Sequence, residues 1–137
     1  MNKKEAAQVL AILKASYPNN YKNITPDDAQ GIVSVWSLQF ADMAAEIVLM
    51  ALNKAISINK YPPSIAEVKE KITSVHWEAY EMMNTHYKLK TLSDEEFAYY
   101  KRIYDATQSY KFDNKGEPSI RNMLPTKNTN LLTGRNE

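Results

Sequence analysis

Cysteine is absent from the 137 residues, and glycine occurs only three times. The first absence removes disulfides, thiolate metal ligands and thiol nucleophiles together. The second leaves no glycine-rich loop to cradle a phosphate and few positions for tight hairpin turns, which argues against phosphate-loop and all-β architectures. No charge of one sign dominates, since seventeen Lys and Arg face sixteen Asp and Glu for a formal net charge of +1. So balanced a chain does not capture nucleic acid or anionic lipid by its overall field, although it can carry a local basic patch. No apolar run approaches the roughly 18 residues of a membrane span, and the opening Met1-Asn2-Lys3-Lys4-Glu5 lacks the apolar stretch of a secretory signal. A soluble, intracellular chain is expected.

What is present is helical periodicity in a chain that is 44% apolar, enough for one domain with a core. From Lys3 to Tyr17 the residues Ala6, Val9, Leu10, Leu13 and Tyr17 share one stripe, and Pro18-Asn19-Asn20 is read as the stop. Thr25 then caps a second helix with Pro26 in its first position and Asp27-Asp28 complementing its dipole. Its stripe is Ala29, Ile32, Val33, Trp36 and Phe40. Asp42 reads as the cap of a third helix, with Ala45, Val48, Leu49, Leu52 and Ile56 inward and Ile47, Met50 and Ala51 widening that face. This is the expected central helix, and Tyr61-Pro62-Pro63 must follow it extended.

Ser64-Ile65-Ala66-Glu67 is a capping box for a fourth helix carrying Ile65, Val68, Ile72, Val75 and Ala79 towards Tyr87, with Glu67 and Lys71 as a favourable pair. A second box, Ser93-Asp94-Glu95-Glu96, opens a fifth helix through Phe97, Tyr100, Ile103, Tyr104 and Thr107 to about Tyr110. Beyond Asn114-Lys115-Gly116-Glu117-Pro118 the chain turns polar and Asn/Thr-rich. The expectation is an all-α fold, a small bundle of four to five helices with a flexible C-terminal tail. Its parts are a helical N-terminal domain over 1–90, an additional helix over 91–112 packed on it or extending it, and a linker and tail over 113–137.

The chemistry-bearing residues are sparse. His76 and His86 stand ten apart, without the three- or four-residue spacing of a helical metal pair, and His76 is read as a partly exposed helix residue. The carboxylates Asp27-Asp28 and Asp94-Glu95-Glu96 lie in first helical turns, where the dipole accounts for them. No Gly-x-Ser-x-Gly elbow occurs. No catalytic residue, cofactor or metal site is expected, and the chain is read as a non-enzyme. Tyr99, Lys101, Arg102, Tyr110 and Lys111 interleave rings with cations as single-strand binders do, although Tyr100 and Tyr104 share a face with Phe97 and read as core. Trp36 and Trp77 read as core anchors. In the tail, Ile120, Met123 and Leu124 beside Arg121 form a short amphipathic hook that, with Leu131 and Leu132, is a candidate partner-binding segment.

The order of these pieces resembles a known family. A Lys-Lys-Glu-Ala helix ends in Ala15-Ser16-Tyr17-Pro18-Asn19, a helix with Trp36 follows, then an alanine-rich helix with Ile47-Val48-Leu49-Met50-Ala51-Leu52, and then Lys60-Tyr61-Pro62-Pro63-Ser64-Ile65-Ala66-Glu67. Over about Lys3 to Glu81 this is similar to the replicative helicase loader/inhibitor proteins of bacteriophages of Gram-positive bacteria. The resemblance implies a small helical N-terminal domain and a flexible C-terminal part that grips a hexameric replicative helicase. It also implies restraint of that helicase's ATPase and unwinding, delivery to an origin-binding initiator, and a place in the bacterial host cytoplasm. The alternative from the residues themselves is a small DNA-binding or transcription-regulating helical module built on Lys101 and Arg102. Against it, the chain from Glu81 onward holds nine basic and eight acidic residues, so direct nucleic-acid binding is not expected.

Overall fold

The computed structural model describes residues 1–108. Among them it places six helices and no strand: α1 (Lys3–Ser16), α2 (Pro18–Tyr21), α3 (Pro26–Gln39), α4 (Ala45–Ile56), α5 (Ile65–Leu89) and α6 (Asp94–Gln108). The all-α expectation therefore holds. Packing divides the chain into two compact units, Met1–Val75 and His76–Glu137, with the division falling inside α5.

In the first unit, α1 opens on a reciprocal cap. The Asn2 side chain accepts from the Glu5 N–H at 2.8 Å, and the Glu5 carboxylate accepts from the Asn2 N–H at 2.9 Å. Ala6, Val9, Leu10, Leu13 and Tyr17 are buried as the periodicity required. Pro18 does more than stop the helix. Tyr17 leaves helical geometry (φ −133°, ψ 62°), and Pro18 then starts the short α2, because proline is well suited to a first helical position. The helix count rises to six on that account. α3 begins as expected at Thr25, and Asp28 completes a capping box there, with bonds of 3.0 and 3.1 Å. Trp36 and Phe40 are buried with ring centroids 5.6 Å apart, while Ala29, Ile32 and Val33 are only half-buried.

Asp42 is not the cap of α4. Ala44 holds that position without a side-chain bond, because residues 40–43 turn on a Met43 N–H to Phe40 carbonyl bond and send the Met43 side chain into the core. Burial of Met43 outweighs the small gain of a side-chain cap. The carbonyls of Phe40 and Met43 both accept from the Met1 ammonium, at 3.0 and 2.7 Å. α4 is indeed heavily enclosed: Ile47, Val48, Ala51, Leu52 and Ala55 are each 1% exposed or less. Its inner face is rotated from the expected one, since Ala45, Leu49 and Ile56 are half-buried. α1 packs on α2, α3 and α4. The Tyr17 hydroxyl donates to the Asn59 carbonyl at 2.9 Å, tying the end of α1 to the chain beyond α4.

α5 starts at the Ser64–Glu67 capping box (2.8 and 3.1 Å), which commits the Glu67 carboxylate to the helix start. Its first half adds Val68, Ile72 and Val75 to the core of the first unit. Lys69 reaches back to the Gln39 side chain at 2.9 Å and lies 5.7 Å from the Phe40 ring.

In the second unit α5 runs on to Leu89. Lys90 then takes a left-handed conformation (φ 54°), with its N–H on the His86 carbonyl at 2.8 Å, the usual geometry of a helix C-terminus. The Leu92 N–H donates to His86 Nδ1 at 3.0 Å, and the Ser93–Glu96 box starts α6 with bonds of 2.9 and 3.1 Å. Between α5 and α6 the contacts are mostly between rings. Tyr104 stacks on His76 at 4.9 Å and lies 6.3 Å from Tyr80, and Phe97 lies 5.1 Å from His86 and 5.5 Å from Tyr87.

Candidate functional site

His76 is the first candidate, and the structure places it differently from the expectation. The ring is fully buried, because the α5 stripe continues from Ile72 through His76 and Ala79 to Met83, at spacings of four, three and four. Its Nδ1 lies 2.7 Å from the Thr107 hydroxyl, which itself reaches the Ile103 and Tyr104 carbonyls at 2.9 and 3.1 Å. A hydroxyl has one hydrogen, and the carbonyls can only accept it. Thr107 Oγ1 therefore accepts from His76 Nδ1–H, which fixes the neutral tautomer and leaves Nε2 as a bare acceptor. Nε2 of His76 and Nε1 of Trp77 are buried without a hydrogen-bond partner. Burial lowers the His76 pKa to about 4, and burial, followed by the neighbouring Tyr80, pushes the Tyr104 hydroxyl up to about 12. A neutral ring sealed from solvent is a packing element. Trp77, only half-buried, meets His76 and Tyr80 edge-on at 5.3 and 5.5 Å.

The second candidate is the outer face of α6, where Tyr99, Lys101 and Arg102 are exposed. The Arg102 guanidinium lies 5.4 Å from the Tyr99 ring, and Lys101 pairs with Asp105 at 2.9 Å, a contact that raises the Lys101 pKa. α6 as a whole carries Asp94, Glu95, Glu96 and Asp105 against these two cations. That is not the electrostatic footprint of a phosphate-tracking surface. Tyr110, Lys111, Ile120, Arg121, Met123, Leu124, Leu131 and Leu132 lie outside the described residues.

A third surface was not read from the sequence. α3 turns Trp36 and Phe40 inward, yet its opposite side is also apolar. Ile24, Gly31, Ile32 and Val35 line an open groove of about 600 Å³, edged by Asp27 and Asp28. Val35 is 50% exposed, and Leu38, 74% exposed, continues the row three residues on. The available signal was the series Gly31, Val35, Leu38 at spacings of four and three, a second helical stripe that the Trp36 stripe overshadowed.

Among the described residues no group of three or more His, Asp or Glu side chains could hold a metal, and no helix is long and apolar enough to cross a membrane. Residues 1–69, just over half the chain and wholly within the first unit, match the family model for the N-terminal domain of the phage helicase loader/inhibitor proteins. No curated protein and no solved structure matches the chain.

Proposed function

The chain belongs to the family of phage helicase loader/inhibitor proteins, and from that premise we propose that it binds a hexameric replicative helicase, restrains it, and delivers it to an origin-bound initiator. The observation that carries this reading is the family match over residues 1–69, which takes in α1 to α4 and the start of α5. Family membership points to a helicase-accessory protein and to a replicative helicase as partner.

The division of labour proposed here follows from the chemistry of the parts. Residues 1–90 act as a platform, 91–112 as an extension of it, and 113–137 as linker and grip. The grip uses Ile120, Met123 and Leu124 as apolar anchors with Arg121 beside them, and Leu131 and Leu132 further on. Ordering such a segment on a partner costs about 2–5 kcal/mol of the gross interaction, which keeps the contact releasable. A loader needs that property, because it must leave once the helicase encircles DNA.

Size-exclusion chromatography with light scattering tests the proposal, using the protein alone and mixed with purified hexameric helicase and ATP. The full chain is expected to co-elute with the ring. A chain ending at Gly116 is expected to keep its helical circular dichroism and elute apart from the ring. An unshifted full chain overturns the helicase reading, whereas unchanged binding by the shortened chain overturns only the assignment of the grip.

A further inference from the structure

From the outward face of α3 we infer a second docking surface, built to receive a basic amphipathic helix presented by a partner protein. Three observations on one helix lead there. First, α3 is apolar on two opposite sides, and only the side bearing Trp36 and Phe40 is used by the core. Val35 and Leu38 stand 50% and 74% exposed on the other side, beside the groove lined by Ile24, Gly31 and Ile32. Spacings of three and four are those with which one helix packs along another.

Second, Gly31 sits in the interior of α3, where glycine is the least favourable residue after proline. Nothing within the fold requires it: a Cβ added there would meet no atom within 4 Å. A glycine without an internal steric reason, on the lining of an open apolar groove, is explained by close approach of another backbone. Third, α3 contains Asp27 and Asp28 and no Lys or Arg. The groove is therefore apolar along its length and acidic at its N-terminal edge, and the complementary occupant carries Lys or Arg at the end that meets those carboxylates. α3 spans about 21 Å at 1.5 Å per residue, so an occupant of four turns covers it.

This surface is independent of the proposed helicase grip, so its test uses no helicase. The probe is an 18-residue synthetic Leu/Ala helix with leucines spaced three and four apart and three lysines at one end, alongside a twin with glutamates in place of the lysines. Both are titrated into the ¹⁵N-labelled full chain. The lysine peptide is expected to shift the amides of residues 26–39 and to bind at least ten-fold tighter than its twin. Asp27→Asn with Asp28→Asn is expected to reduce that preference several-fold. Gly31→Leu, which fills the groove from a position clear of the core, is expected to leave the spectrum folded and abolish binding. Equal affinity for the two peptides, or shifts confined to other helices, overturns the inference. So does a spectrum in which deleting 109–137, or dilution, already moves the 26–39 amides, since the occupant is then this chain's own segment or a second copy.

Discussion

The two units solve the burial problem with different chemistry. The first is aliphatic and closed: Leu13, Ile47, Val48, Leu52, Val68 and Ile72 are each 1% exposed or less, and they come from three helices. Its stability is a sum of non-directional terms, about 1.5–3 kcal/mol for each large side chain taken fully out of water. The described part of the second is a pair of helices joined by rings, with Ile103 and a histidine–threonine hydrogen bond at the centre and Phe97, Tyr80 and Tyr104 only half-buried. Rings give large area from few residues, but the buried His76 makes the arrangement depend on one protonation state. A small core made of directional contacts is open to conditions that an aliphatic core ignores.

The contrast can be broken most forcefully inside the first unit. Leu52→Ala is expected to cost about 3–4 kcal/mol, because a closed aliphatic site cannot collapse onto the space left behind. Ile103→Ala, between half-buried rings free to shift, should cost nearer to about 2 kcal/mol. Urea melts followed by circular dichroism give both numbers, and equal losses would erase the distinction.

The next effect belongs to the second unit alone. The His76 pKa is lowered to about 4 in the folded chain against 6.5 when exposed. The unfolded chain then binds the extra proton between those values. Stability is therefore complete above pH 6.5 and falls as the pH drops towards 4, by up to about 3 kcal/mol. Trp36 lies in the first unit and Trp77 in the second, so a Trp36→Phe variant leaves Trp77 as the reporter. His76→Phe should flatten the His76 contribution, since Thr107 can still donate to the Ile103 carbonyl. An unchanged slope would mean that His76 titrates normally.

The smallest effect should be the same on both sides. Ser64→Ala and Ser93→Ala each remove one half of a capping box, at a cost of about 1 kcal/mol. Matched losses by urea titration would locate the difference between the units in their cores and leave the helix starts out of it.

What could be read in advance follows the same division between local and distant causes. Thr25, Ser64 and Ser93 mark helix starts because the groups they satisfy lie three residues away. The stripes of α1 and α5 were legible because each faces one main direction. Asp42 misled because the start of α4 is set by the burial of Met43, a tertiary event with no local mark. His76 was misplaced because α5 acquires a second neighbour, and a stripe drawn for Val68, Ile72 and Val75 passes beside it. Of the candidate site, the outer face of α6 was legible in Tyr99, Lys101 and Arg102. Its charge balance was legible too, but the pairing of Lys101 with Asp105 was not assigned. The α3 groove escaped because one helix carries two apolar stripes, and the larger residues of the inner one drew the pattern.

The Tyr17–Asn59 bond carries a consequence for the order of folding. The caps join residues three apart and can form within the time of a single helical turn, whereas this hydroxyl and carbonyl are 42 residues apart. Closing so long a loop has an entropic cost that the bond alone cannot offset, so the bond forms only after α1 and α4 have already met. It is a late contact, absent from the barrier. Losing it should leave the rate of folding almost untouched and appear instead in how soon the finished domain comes apart.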